Sequence, residues 1–214
     1  MTAAVLVVAL IILAVELPAP GVSSGMTLEE AVSARRSVRS YTDESVTLEE
    51  LASLLRAAQG ITSTGPFPFR AVPSAGATYP LSILVAAGNV DSLPAGIYRY
   101  IPGEDCLEPI VSGDSLARLQ AAALDQPCVG GAPLVLAIVA DYSITTSVYG
   151  DRGVRYVDME AGHASQNIYL QCVALGLGTV AVGAFHDEDV STVLGLLRGE
   201  SPLYLMPVGR PAEQ

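Results

Sequence analysis

Three of the chain's 11 basic residues, all of them Arg, fall within Arg35-Arg36-Ser37-Val38-Arg39, in a protein of formal net charge -11. Planar guanidinium groups with a hydroxyl between them match the several acceptor oxygens of a phosphate ester. The same turn could instead be neutralised by Glu29, Glu30 or Asp43, its acidic neighbours in the sequence. A second stretch, Pro73-Ser74-Ala75-Gly76-Ala77-Thr78-Tyr79-Pro80, combines small residues with turn formers. Such backbone can lie close to a flat ligand and offer N–H groups to its ring heteroatoms, or it can be simply a turn-rich loop. Gly176-Leu-Gly-Thr-Val-Ala181 fits a loose G-x-G-x-x-A pattern. The dinucleotide fingerprint needs a strand before it and a helix after it, whereas here a helix precedes and a strand follows, so Gly176 reads as a helix stop. His163, mid-helix beside Gln166 and Asn167, reads as a packed residue rather than a catalyst, and His186 as an exposed one at a helix start.

Composition removes several chemistries. With no Lys, neither a pyridoxal-phosphate Schiff base nor the Walker A phosphate loop can be built. Cys106, Cys128 and Cys172 are far apart, and no CxxC or HExxH spacing occurs, which argues against a dedicated metal site and against a disulfide framework. No G-x-S-x-G elbow supports nucleophile chemistry. The excess of 22 acidic over 11 basic residues repels nucleic-acid phosphates. A hydrophobic fraction of 50% with 15% charged residues suits a well-cored folded domain.

The elements that must position these residues are legible in part. Thr27-Leu-Glu-Glu30 and Thr47-Leu-Glu-Glu50 are capping boxes, opening helices expected to end near Ala34 and Gly60. Behind the second box, Leu48, Leu51, Leu54, Leu55 and Ala58 recur at helical spacing. Residues 61–80 read as loop. Strands are predicted at 81–87, 96–101, 106–110, 134–140, 179–182 and 203–208, with helices at 116–124, 155–176 and 187–197. The long helix carries Ala161, Ser165, Ile168, Cys172 and Leu175 on one face, kept thin by Gly162 and Ala164 for close packing. Mixed elements without a βαβ alternation favour an α+β sandwich.

The amino terminus stands apart. Ala3 to Val15 is an unbroken apolar run closed by Glu16, Pro18 and Pro20. As a helix it would reach roughly 20 Å, short of the ~30 Å hydrocarbon core, a length that suits an export signal or anchor. No basic residue precedes it, and the plainer reading is a cytoplasmic tail or an extension packed on the body or a partner. Residues 1–25 are therefore read as an apolar segment and linker, 26–214 as the folded domain, and the location as cytoplasmic or, through residues 3–15, membrane-associated or exported.

In order, these pieces resemble the FMN-dependent nitroreductase superfamily, and most closely its SagB-type branch, which includes azoline dehydrogenases. The resemblance is carried by Arg35–Tyr41, Leu54–Gly60, Pro73–Pro80, Gly96–Tyr100, Tyr149–Tyr156, Glu160–Asn167, Gly176–Gly178, Val182–Phe185 and Pro207–Gly209, spanning about residues 27–211. It implies an α/β sandwich with a central, mostly antiparallel sheet flanked by helices. It also implies a homodimer with FMN at the interface and the long helix in much of the contact. Arg35, Arg36, Ser37 and Arg39, joined by Arg210, would hold the phosphate and ribityl end. Pro73, Ser74, Ala75 and Gly76 would reach the isoalloxazine from the other subunit. Backbone at Val182 and Gly183 would meet the flavin near N5. The implied activity is electron transfer through FMN to or from a small organic substrate, with NAD(P)H a possible electron donor; the alternative is a catalytically degenerate scaffold. Tyr149 matches the Tyr of a Lys-Tyr pair in azoline dehydrogenases, as the one side-chain candidate for catalysis. Val148 stands where the Lys would be and cannot act as a base.

Overall fold

Both capping boxes close as the sequence predicts. The Thr27 and Thr47 hydroxyls each accept the N–H three residues on, and Glu30 and Glu50 reach back to the N-cap amides. They open α1 (Leu28–Ala34) and α2 (Leu48–Gln59). The computed structural model describes residues 14–19, 21, 25–63, 65 and 68–212. The remaining elements are β1 (Val15–Glu16), β2 (Leu81–Ala87), β3 (Gly96–Ile101), β4 (Cys106–Ser112), α3 (Leu116–Ala122), α4 (Pro127–Gly130), β5 (Leu134–Asp141), α5 (Tyr142–Tyr149), α6 (Arg152–Ala174), β6 (Gly178–Thr179), α7 (Asp187–Leu194) and β7 (Glu200–Gly209).

The strands form one antiparallel sheet in the order β1-β4-β3-β2-β5-β7-β6. Central β5 is apolar from Leu134 to Ala140 because both its faces are covered. Leu134, Leu136, Ile138 and Ala140 enter one core layer with α2 and α6, while Val135, Ala137 and Val139 enter the other with α3, α4 and α7. The period-two alternation thus divides one strand between two cores. Each large side chain so buried contributes roughly 2 kcal/mol of transfer free energy.

Two features lie outside the expected pattern. The polar, β-branched run Tyr142–Tyr149 is a helix, α5, capped by the Asp141 carboxylate accepting from Ser143 N–H. Its backbone lies against α6 at Gly153, where an added Cβ would sit 2.9 Å from both N and Cα of Thr146. Gly153→Ala is expected to lose roughly 1–2 kcal/mol in denaturant unfolding, because overpacking outweighs the gain in helix propensity.

The second feature corrects the reading of residues 3–15 as a membrane or export segment. Among the described residues no helix is long and apolar enough to cross a membrane. Residues 3–13 lie outside the described residues. The end of the run is strand: Val15 and Glu16 pair with Leu107 and Cys106, and Val15 and Leu17 pack on the core. The sheet edge takes up Val15–Glu16, upstream of the boundary expected near Met26.

Candidate functional site

Past α1 the chain runs extended beside β6, bridging Ser37 to Thr179, with Val38 N–H donating to the Thr179 carbonyl at 2.9 Å. The approach is close enough that a Cβ on Gly178 would lie 2.6 Å from the Val38 side chain. Gly178 therefore serves strand packing, and Gly176, at φ +70°, terminates α6.

Behind this segment stands Tyr169 of α6. Its hydroxyl accepts from Ala181 N–H at 2.8 Å and lies 3.1 Å from the Ser37 hydroxyl. Its ring carries the Arg35 guanidinium at 5.2 Å, a cation–π contact. Arg36 folds back onto the Ser33 and Arg35 carbonyls, and Arg39 is exposed. Among the described residues no carboxylate is ion-paired with Arg35, Arg36 or Arg39. Glu30, one of the acidic neighbours, is instead held by Thr27. The turn thus keeps its positive charge uncompensated, beside a cleft of about 300 Å³ lined by Arg36, Val38, Tyr169 and Thr179. Arg210, by contrast, is ion-paired: Glu44 holds it at 3.1 Å and Glu50 at 2.9 Å.

Further along the same strand edge, both backbone groups of Val182 are taken up by Leu205, at 2.8 and 2.9 Å. Gly183 is exposed, and among the described residues its N–H has no partner. It borders a second cleft of about 300 Å³ with Asp158, Ala161, Leu203 and Tyr204. Of the two positions singled out here, the free amide donor is therefore Gly183.

The Pro73–Gly76 stretch enters a tight turn. Gly76, Ala77 and Tyr79 all have positive φ, at 61°, 53° and 51°, a clustering of strained backbone of the kind found at ligand clamps. Ser74 Oγ accepts from Tyr79 N–H at 2.9 Å, and Thr78 Oγ1 lies 2.8 Å from Thr145 Oγ1 of α5. This anchorage brings Tyr149 over the turn, where a Cβ on Gly76 would lie 2.5 Å from its hydroxyl. Only glycine suits that position, on grounds of both φ and space. The Tyr149 ring meets Tyr156 edge-on at 5.2 Å, and Val148 beside it is 62% exposed.

Beneath the turn, Glu160 of α6 is buried at 3% exposure. Burial pushes its carboxyl up to about 7, against the downward pull of the Ser74 hydroxyl and the Arg70 guanidinium. The residues missed in the sequence are chiefly Glu160 and Tyr169. Glu160 had a signal: it lies at helical spacing among Val157, Ala164 and Ile168, all buried. Tyr169 had none, since its partners are more than a hundred residues upstream or across a turn. His163 and His186 are both exposed. Among the described residues no group of three His, Cys, Asp or Glu could hold a metal ion.

The chain thus assembles two clusters rather than one: Arg35, Ser37 and Tyr169 on one side, the 73–79 turn, Tyr149 and Glu160 on the other. Glu160 and Tyr169 are nine residues apart on α6, about 14 Å along the axis and half a turn around it. A single copy keeps them separate.

Comparison with known proteins gives a consistent picture. Residues 32–210 match the model of the Nitroreductase family. The chain is 48% identical over 186 residues to a protein of Methanocaldococcus jannaschii named "Putative nitroreductase MJ1384", covering 87% of this chain and 92% of that one. It is 28% identical over 139 residues to the trifolitoxin-processing protein TfxB of Rhizobium leguminosarum bv. trifolii, covering 63% of this chain and 37% of that one. A solved structure described as a "putative nitroreductase" from Ralstonia eutropha superposes with a TM-score of 0.80 at 28% identity, covering 94% of this chain and 90% of that chain.

Proposed function

The chain belongs to the nitroreductase family, whose members are oxidoreductases, and on that premise we propose that it is an FMN-dependent oxidoreductase acting on a small organic substrate. The family typically uses FMN. The observation that carries the reading is the unpaired Arg35–Arg39 turn, backed by Tyr169, next to a strand edge with a free Gly183 amide.

These residues fit the cofactor. Arg35, Ser37 and Arg39 offer charged and hydroxyl donors to a phosphate, and Gly183 N–H offers a neutral donor at the flavin edge. Bound FMN would supply a two-electron carrier that one substrate loads and a second unloads. The chain's own work is then binding and orientation. Tyr169 takes Ala181 N–H and shares a hydrogen bond with Ser37; with Tyr169 as its donor, the Ser37 proton is free to point at a ligand. Val148 offers no proton acceptor, and Tyr149 places a hydroxyl over the turn. We therefore favour a stand-alone reductase or dehydrogenase, with NAD(P)H as electron donor, over an azole-forming enzyme. The likeness to TfxB supports placement near the SagB-type branch.

The reading includes a homodimer. The two clusters on opposite sides of α6 become one site if the 73–76 turn of one copy meets the Arg35 turn of another. Ile144, Val148, Val154 and Met159 expose apolar surface along α5 and α6, as such an interface requires.

The test is the visible absorption spectrum of the purified dimer-sized fraction, with and without added FMN. Flavin bands that co-elute with protein support the reading. Their absence with FMN in excess overturns it in favour of a scaffold that keeps the fold alone. Tyr169→Phe, which removes one hydroxyl and leaves the ring under Arg35, is expected to weaken FMN binding about five- to tenfold, as read by fluorescence titration.

A further inference from the structure

The cleft that Gly183 borders holds a carboxylate. Asp158 of α6 lines it together with Ala161, Leu203 and Tyr204. One oxygen of that carboxylate is fixed from α5: the Tyr142 hydroxyl donates to Asp158 Oδ1 at 2.6 Å. Burial, and then the bond to Asp158, hold the Tyr142 phenol above its ordinary pKa, so it stays the donor. The other oxygen, Oδ2, has no partner among the described residues. Tyr142 also lines an adjoining cavity of about 630 Å³, with Asp187, Glu188, Glu200 and Leu203. Leu203 is common to both cavities, and among the described residues no basic side chain lines either. Glu200 is neutralised by Arg99 at 2.6 Å, whereas Asp158, Asp187 and Glu188 are in no ion pair among the described residues. Charge is therefore segregated along one strand edge. Unpaired guanidinium groups stand at the Arg35–Arg39 turn, and unpaired carboxylates at the Gly183 end.

We propose that Asp158 is a catalytic residue that stabilises the positive charge appearing on the electron donor's ring as it gives up hydride, with Tyr142 as its positioning residue. This rests on the function proposed above and states what the Gly183 cleft takes: a flat, neutral ring that becomes a cation. A dihydronicotinamide is such a ring. Both electrons of its ring C–H bond leave with the hydride for bound FMN, and a pyridinium cation remains. No proton leaves the donor in this step, so it needs no base, and none stands at Val148. The barrier on the donor side is lowered instead by a negative charge already in place beside the ring. The Tyr142 bond fixes one carboxylate oxygen before the donor arrives and leaves the other to face the cleft. Because the donor ring displaces water from the cleft, the attraction is stronger there than at open surface.

The experiment compares two probes that differ by one charge: nicotinamide, and nicotinamide methylated on its ring nitrogen, which is a cation. Binding to the FMN-loaded protein is read from the flavin absorption spectrum. The wild-type chain is expected to bind the cation about five- to tenfold more tightly than the neutral ring. Asp158→Asn can still accept from Tyr142, so it removes the charge and keeps the contact; it is expected to lose the preference. Asp158→Glu keeps the charge and retains most of it, and Tyr142→Phe falls between. Bleaching of the flavin by N-benzyl dihydronicotinamide, a donor without phosphates, is expected to slow about tenfold in Asp158→Asn. Asp158 is exposed, so a thermal melt of that variant stays close to wild type. Equal affinity of the wild-type chain for the two probes, no binding of either, or an unchanged preference in Asp158→Asn overturns the proposal. Absence of flavin bands marks failure of the proposed function itself, whereas a flavin-loaded protein blind to the charge of the probe marks failure of this inference alone.

Discussion

Replacing Arg35 and Arg39 together with Ala is expected, on the function proposed, to lower FMN affinity by at least about 100-fold. Charge-assisted bonds to a phosphate contribute roughly 1.5–3 kcal/mol each, so two of them amount to about 3 kcal/mol or more. The loss appears in binding and not in folding. Both side chains lie at the surface or half-buried, and neither is ion-paired among the described residues, so no internal charge is stranded by their removal. Fluorescence titration with FMN, alongside a thermal melt of the unloaded variant, separates the two effects. A loss under tenfold with an unchanged melt would remove this turn from the phosphate site. Arg210→Ala is the informative contrast: Glu44 and Glu50 already occupy that guanidinium, so its removal is felt in stability as well as in binding.

The second large effect is on stability as a function of pH. Burial raises the Glu160 carboxyl from the ordinary 4.5 to about 7 in the folded chain. The folded state therefore binds this proton more tightly than the unfolded state does. The stabilisation is complete below pH 4.5 and is lost as pH rises through about 7. A shift of this size corresponds to about 3 kcal/mol. Glu160→Gln carries no titrating proton, so relative to that variant the wild-type chain loses about 3 kcal/mol between pH 4 and 8. Urea unfolding at those two pH values measures the difference, and parallel pH curves for the two proteins would contradict it. The ionised carboxylate thus lowers global stability.

Some of this protein is settled within a few residues of chain. The capping boxes fix where α1 and α2 begin, because donor and acceptor are three residues apart and meet as soon as the helix turns. The runs at 81–87 and 96–101 coincide with β2 and β3 because turn-formers bound them on both sides. The continuous apolar run at 134–140 identifies β5 as central, since only a strand covered on both faces has no use for alternation. The Arg35–Arg39 turn is likewise legible as a charge cluster without any fold. Where α7 stops at Leu194 rather than near 197, the cause is Gly195 in the left-handed conformation, a local signal overlooked.

What tertiary structure decided is everything whose partner is distant in sequence. Helix α5 reads as neither helix nor strand on its own; Asp141 caps it and Gly153 of α6 admits its backbone. The predicted strand at 179–182 is shortened to Gly178–Thr179: the Ala181 amide points away from β7, to Tyr169, while Val182 meets β7 again through Leu205. The sequence resemblance makes Arg210 a phosphate ligand and says nothing of Glu50, 160 positions away, which holds it. Tyr149 and Gly76 converge only because α5 and the 73–79 turn are tied through two threonyl hydroxyls, Thr145 buried and Thr78 half-buried. Glu160 acquires its character only from the depth at which α6 packs. Local signals survive because hydrogen bonds within one turn form in any context. Charge state, amide availability and side-chain partnership do not, because they depend on desolvation and on groups that long-range packing alone brings within reach.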